Sequence, residues 1–123
     1  MVTTRVLLID DDEAVLAAIK RLSSRLNATV DTAASADHAQ RCLENNEYDV
    51  VIADLHLGVD EGRAGLDIIR EARKRYDNAR LFLWTAYEAD DTIKEALESG
   101  AEGCLNKPVR YDTIRAIVQG QSV

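Results

Sequence analysis

Short apolar runs alternate along the chain with segments in which apolar residues recur every three or four positions. The short runs predict strands, and the periodic segments predict helices with one apolar stripe. The predicted strands are residues 5–10, 28–33, 49–54, 79–85 and 103–106. The predicted helices are residues 13–26, 35–46, 65–76, 90–99 and 111–119.

Local signals support these boundaries. Ser35 has the side chain expected of a helix N-cap, and Gly100 that of a C-cap residue. The runs VLLI, VVIA and LFLW are almost continuously apolar, which is typical of central parallel strands covered on both faces. Five strands alternating with five helices therefore predict a doubly wound α/β sandwich.

Composition narrows the possible functions. With 123 residues, 46% of them hydrophobic, the chain predicts one domain, residues 1–123, with a sizeable core. The net charge of −7 argues against direct binding to nucleic acid. Cys42 and Cys104 lack the spacing of a zinc site. Without a run of about 18 apolar residues or a signal peptide, we expect a cytoplasmic protein and no contact with a membrane.

Polar residues follow four of the predicted strands. Because sites in such sheets form outside the carboxyl ends of the strands, these residues should face a common pocket. They are the triplet Asp10-Asp11-Asp12, then Asp54, Thr85 and Lys107. Each has an ordinary structural interpretation as well. Asp12 in particular is well placed to cap the first helix.

Together these residue types indicate phosphoryl transfer. Neighbouring carboxylates repel one another, and Mg²⁺ would relieve that repulsion through oxygen ligands. Lys107 adds a cation that would neutralise charge on a transferring phosphoryl group. Thr85 adds a hydroxyl that would donate a hydrogen bond to the same group. Asp54 stands alone at the end of the central strand and is the best candidate nucleophile. Asp10 and Asp11 are then better used as metal ligands.

The motifs VLLIDDD, DVVIADLHL, LFLWTA and NKP, with the spacing between them, resemble the receiver domain of bacterial response regulators in two-component signalling. The resemblance covers essentially the whole chain. It implies a flavodoxin-like (βα)5 fold with strand order 2-1-3-4-5. It also implies a signalling phosphoacceptor rather than an enzyme with turnover.

The resemblance assigns a role to each candidate residue. Asp54 would accept a phosphoryl group from a histidine kinase. Asp11 would bind Mg²⁺ directly, Asp10 mainly through water, and His56 through its backbone carbonyl.

Thr85 would bond a phosphoryl oxygen and Lys107 would pair with it, next to a cis peptide bond before Pro108. The expected partners are a sensor histidine kinase or phosphotransfer protein, and a downstream protein bound on the face of helix 4, strand 5 and helix 5.

Three positions depart from the family pattern. Cys104 stands where the family usually has an aromatic residue that switches rotamer, and cysteine is too small for that role. Gly58 replaces a frequent proline, and the loop at residues 58–64 is about three residues longer than usual. Loops of this kind occur in receivers attached to hybrid sensor kinases. Tyr87 is expected to rim the pocket.

Two alternatives remain open from the sequence. In a phosphohydrolase of the haloacid-dehalogenase type, Asp10 and Asp12 would form a D-x-D motif, with Asp10 as the nucleophile. A receiver-like module that works without phosphate is the other alternative, and Cys104 leaves room for it. The sequence also leaves open whether the chain acts alone or is part of a longer regulator or hybrid kinase.

Overall fold

Five parallel strands form the central sheet of the computed structural model, which describes residues 3–57, 64–86 and 89–123. The strands are β1 (Thr4–Ile9), β2 (Ala28–Ala33), β3 (Val50–Asp54), β4 (Arg80–Thr85) and β5 (Gly103–Asn106). The helices are α1 (Glu13–Ser23), α2 (Ala36–Asn45), α3 (Ala64–Arg75), α4 (Asp90–Ser99) and α5 (Tyr111–Val118). The sheet order is β2-β1-β3-β4-β5, which confirms the predicted fold class and strand order.

Helices cover both faces of the sheet. Successive residues of a strand point to opposite faces, so Leu7 and Leu8 of β1 belong to two separate apolar clusters. One cluster includes Leu66 of α3 and lies on the side of α2, α3 and α4. The other includes Leu16 of α1 and Ile114 of α5. This two-sided burial explains why the central strands are almost continuously apolar.

Asp12 caps α1 as predicted, because its Oδ1 accepts hydrogen bonds from the backbone N–H groups of Ala14 at 3.0 Å and Val15 at 3.3 Å. Ser35 caps α2 in the same way. Gly100 closes α4 in the left-handed conformation, with φ of 109°. Among the described residues, no helix combines the length and apolar character needed to cross a membrane.

The predicted end of α1 is wrong by three residues, because the helix ends at Ser23 rather than Leu26. The Leu26 N–H donates to the Ser23 carbonyl at 2.9 Å, in a tighter turn that leads into β2. Leu26 still packs against the cluster that contains Leu16. Its place in the apolar stripe reflects this packing, which a turn residue satisfies as well as a helical one.

A glycine lets α3 approach the end of β3 closely. A Cβ atom on Gly65 would lie 2.0 Å from the carbonyl oxygen of Asp54. The Gly65 N–H also donates to the Leu55 carbonyl at 3.2 Å. Gly65 therefore fixes the backbone around Asp54 at the carboxyl edge of the sheet.

An arginine ties the ends of α3 and α4 together at the opposite edge. Arg73 donates through Nη1 to the carbonyls of Tyr76 and Asp77, at 3.1 and 2.9 Å. Through Nη2 it donates to the carbonyls of Ala79 and Gly100, both at 2.9 Å. One side chain thus satisfies four carbonyl groups, two just after α3, one just before β4 and one at the end of α4.

Candidate phosphoryl-transfer site

Three of the predicted carboxylates lie together where β1 and β3 end. These strands are neighbours in the sheet, so Asp10, Asp11 and Asp54 leave it side by side. Carboxylate oxygens of the three residues lie within 4.8 Å of one another. Asp10 is fully buried, Asp54 is buried, and Asp11 is exposed. The cluster therefore extends from the protein interior to the surface.

Lys107 joins two of these carboxylates. Its ammonium group lies 3.1 Å from Oδ2 of Asp54 and also forms an ion pair with Oδ2 of Asp10. Its backbone N–H donates to the carbonyl of Thr85 at 2.9 Å, which holds the loop after β5 against the end of β4. Burial acts to lower the pKa of Lys107, but the hydrogen bonds to Asp10 and Asp54 outweigh it and raise the pKa above its usual value. Lys107 is therefore held as a cation.

Asp54 lies in an environment that disfavours its charge. Burial raises the pKa of Asp54, and the negative charge of Asp10 adds to this effect. Lys107 opposes the rise, as does the His56 N–H, which lies 3.3 Å from Oδ1 of Asp54. The balance remains a raised pKa. A further cation beside Asp54 would stabilise the ionised carboxylate.

An open cavity of about 480 Å³ lies over Asp54. Asp11, His56, Thr85 and Lys107 also line it, whereas Asp10 lies beneath it. The cavity gives a phosphoryl donor access to the Asp54 carboxylate, with the ammonium group and the Thr85 side chain at its wall. The structure thus brings the predicted site residues together around the Asp54 carboxylate, which borders this cavity.

Oxygen ligands for a hard cation are available in the same place. The carboxylates of Asp10, Asp11 and Asp54 match the ligand preference of Mg²⁺. His56 lies beside them, with its backbone N–H 3.3 Å from Oδ1 of Asp54. The use of the His56 carbonyl as a metal ligand stays a prediction.

Several other expectations concern residues around the pocket. The Lys107–Pro108 peptide bond is cis, as predicted. Cys104 is half-buried on β5 and packs against the cluster on the α3 side. The expectations about Gly58, the longer loop and Tyr87 lie outside the described residues.

Two residues matter more to this site than the sequence indicated. Trp84 is buried, and its indole N–H donates to the carbonyl of Ile9 at 3.1 Å. The sequence did not predict that the ammonium group of Lys107 lies 5.0 Å from the centre of the Trp84 ring. The other residue is Gly65, whose position inside a helical pattern is a signal for close packing.

Comparison with known proteins confirms the family. The family model described as "Response regulator receiver domain" matches residues 6–119. The chain belongs to the response regulator receiver domain family.

Curated relatives with this domain are regulatory proteins. The alginate biosynthesis transcriptional regulatory protein AlgB of Pseudomonas aeruginosa is 34% identical over 111 residues, which cover 90% of this chain and 24% of that protein. The transcriptional regulatory protein AfsQ1 of Streptomyces coelicolor is 34% identical over 114 residues, covering 92% of this chain and 48% of the relative. The chain thus spans about a quarter of the first relative and about half of the second.

Solved structures agree with the fold. A response regulator from Burkholderia pseudomallei, crystallised with a phosphorylated aspartic acid, calcium ion and citrate, has a TM-score of 0.85 and 29% identity. The match covers 94% of this chain and 66% of that one. A receiver domain protein from Clostridium thermocellum has a TM-score of 0.82 and 30% identity, covering 95% and 92% of the two chains.

Proposed function

We propose that Asp54 is the phosphoacceptor of this receiver domain, and that Lys107 and Thr85 stabilise the transferred group. The arrangement around Asp54 carries the proposal. Its carboxylate borders an open cavity and is paired with Lys107 at 3.1 Å. Asp10 is paired with Lys107 beneath that cavity, a position ill suited to attack on an incoming donor.

The donor is a phosphohistidine of a sensor histidine kinase or a phosphotransfer protein. A carboxylate oxygen of Asp54 attacks the phosphorus, so that an O–P bond forms while the P–N bond breaks. The electron pair of that bond stays on the imidazole nitrogen of the donor, which takes up a proton from solvent. Lys107 then pairs with a phosphoryl oxygen in place of the Asp54 carboxylate, and the Thr85 hydroxyl donates to another.

Asp10, Asp11, Asp54 and the His56 carbonyl would hold Mg²⁺ at this edge. The ion supplies charge neutralisation for the transferring phosphoryl oxygens. The family relative from Burkholderia pseudomallei supports the pairing of these two features, since its crystals hold a phosphorylated aspartic acid and a calcium ion.

The output is a change in binding rather than substrate turnover. We place the whole chain, residues 1–123, in one receiver domain whose phosphorylated form favours a different arrangement of Thr85 and the neighbouring loops. The surface formed by α4, β5 and α5 would then bind a downstream protein. In longer relatives that are transcriptional regulators, this is how the receiver would control the rest of the protein.

Incubation with acetyl phosphate and Mg²⁺, followed by intact mass measurement, tests the proposal. We expect one hydroxylamine-labile phosphoryl group on the wild-type protein and none on Asp54→Asn. Asp37→Asn, which removes an exposed carboxylate from α2, serves as the control and should be phosphorylated normally. Repeated turnover of a phosphate ester that is lost in Asp10→Asn would instead support the phosphohydrolase.

A further inference from the structure

The ammonium group of Lys107 has three close neighbours. Two are the carboxylates of Asp10 and Asp54, and the third is the face of the Trp84 ring, 5.0 Å away. Only 21% of the Lys107 side chain is exposed. Attraction between a cation and an aromatic face is strongest with tryptophan, and it strengthens as water is excluded.

The Trp84 ring is fixed relative to three strand ends. Its N–H donates to the Ile9 carbonyl on β1, directly before Asp10, at 3.1 Å. The backbone carbonyl of Trp84 accepts a hydrogen bond from the N–H of Leu55, directly after Asp54, at 3.2 Å. Trp84 is also in register with Leu105 on β5, and only 1% of it is exposed. These contacts and its burial therefore hold the Trp84 ring in one position beside Lys107.

The three neighbours differ in what happens to them during the proposed reaction. Asp54 loses its free carboxylate when it forms the acyl phosphate, and Asp10 is a proposed partner of the metal site. The Trp84 ring changes neither its charge nor its bonding. We infer that Trp84 is a positioning residue for phosphoryl transfer, holding the Lys107 ammonium in the pocket while its carboxylate partners change. This inference rests on the proposed function of the site.

A matched control lies on the same strand. Phe82 is 2% exposed, belongs to the same apolar cluster as Trp84, and also faces a cation, because Arg80 lies 5.3 Å from its ring. Arg80 pairs with Glu102 and binds the carbonyl of Gln121, far along the strand from Asp54. Phe82→Leu therefore removes a buried aromatic ring and a cation contact without touching Lys107.

The rate of phosphorylation by acetyl phosphate at saturating Mg²⁺ tests the inference. We expect Trp84→Leu to lower the rate constant about tenfold, which corresponds to about 1.4 kcal/mol. Trp84→Phe, which keeps an aromatic face, should lose less than Trp84→Leu, and Phe82→Leu should stay within about twofold of the wild type. In the Lys107→Met background, Trp84→Leu should have no further effect, because Trp84 acts through the lysine.

The chemical shift of the Lys107 ε-methylene protons gives a readout that does not depend on phosphorylation. A ring face beside these protons moves their resonance upfield. We expect this upfield shift in the wild type, Trp84→Phe and Phe82→Leu, and its loss in Trp84→Leu. Because Trp84→Phe preserves a ring, it keeps the test available if Trp84→Leu does not fold.

Two results separate the inference from the proposed function. A wild-type protein that accepts no phosphoryl group on Asp54 overturns the proposed function. A wild-type protein that is phosphorylated, together with Trp84→Leu and Trp84→Phe variants of unchanged rate, overturns only the role of Trp84. Equal slowing by Phe82→Leu would also overturn it, since the effect would then come from general loss of packing.

Discussion

Asp10, Asp11 and Asp54 concentrate more negative charge than Lys107 can balance. Three carboxylates lie within 4.8 Å of one another, and the ammonium group pairs with the two that are buried. The raised pKa of Asp54 has the same origin, in burial and the nearby charge of Asp10. At the scale of single residues, uncompensated repulsion of this kind is expected to cost the domain stability until a further cation balances it.

Mg²⁺ should relieve this repulsion and stabilise the domain. We expect added Mg²⁺ to raise the melting temperature of the wild-type protein, measured by circular dichroism, and Asp11→Asn to lose most of that rise. Asp12→Asn is the matched control. It removes one charge from the same triplet but keeps a good N-cap for α1, so its response to Mg²⁺ should be close to that of the wild type. Equal responses in Asp11→Asn and the wild type would contradict the metal site.

The polar residues of the site could be predicted because each follows an apolar strand. Asp54 and Thr85 end β3 and β4, and parallel strands bring such ends to one edge. The contacts between them could not be predicted. That Lys107 pairs with Asp10, and that its ammonium faces Trp84, depends on the path of the loop after β5. Local sequence does not encode that path.

At the scale of the elements, the contact between α3 and β3 depends on the absence of a side chain at Gly65. Glycine inside a helix normally costs stability relative to alanine, by about 1 kcal/mol. Here the added Cβ would lie 2.0 Å from the Asp54 carbonyl oxygen, which is backbone and has little freedom to move. At this position we therefore expect glycine to give a more stable protein than alanine.

We predict that Gly65→Ala lowers the free energy of unfolding by about 2 kcal/mol or more, as expected for overpacking. Because the clash lies at Asp54, the variant should also be phosphorylated more slowly. Gly103→Ala provides the comparison, since a Cβ atom there would have no atom within 4 Å beyond Gly103 and its chain neighbours. Urea denaturation measures both variants, and a more stable Gly65→Ala protein would show that the helix and strand can separate without cost.

Most element boundaries follow from local chemistry. The caps at Asp12, Ser35 and Gly100 were each predicted from residue type and are each present. The end of α1 was not, because Leu26 continues the helical stripe although the backbone has already turned at Ser23. The contact by which Arg73 joins α3 to α4 could not be predicted from local sequence either. Its partner on Gly100 becomes a neighbour only when α3 and α4 pack side by side.

At the scale of the whole molecule, the two edges of the sheet have different roles. The carboxyl edge carries the charged pocket, whereas polar side chains toward the other edge join neighbouring elements. Tyr48, two residues before β3, donates its hydroxyl to Asp31 of β2 at 2.7 Å. Arg5 of β1 contacts the same carboxylate at 3.4 Å and lies over the Tyr48 ring. This network stabilises the fold away from the site.

The network predicts how the stability of the fold depends on alkaline pH. Burial raises the pKa of Tyr48 above its usual value, and the hydrogen bond to Asp31 adds to this rise. The folded protein therefore keeps a phenolic proton that the unfolded chain loses above about pH 10. The contribution of Tyr48 is fully present below that pH and is lost as the pH rises toward its pKa in the folded state, by up to about 1.4 kcal/mol per pH unit.

Urea denaturation at several alkaline pH values tests this dependence. We expect the free energy of unfolding of the wild type to fall more steeply above about pH 10 than that of Tyr48→Phe, which has no phenol to titrate at this position. Tyr111→Phe, which removes a phenol at the start of α5, gives the comparison for a variant outside this network. Parallel curves for the wild type and Tyr48→Phe would contradict the prediction.

The central claim is that Asp54 accepts the phosphoryl group, and locating that group on the chain tests it most directly. After treatment with acetyl phosphate and Mg²⁺, borohydride reduction converts an aspartyl phosphate into homoserine, which tandem mass spectrometry assigns to one position. We predict homoserine at residue 54 of the wild type and none in Asp54→Asn. Homoserine at Asp10 or Asp11, or an unmodified residue 54 in the wild-type protein, would contradict the account.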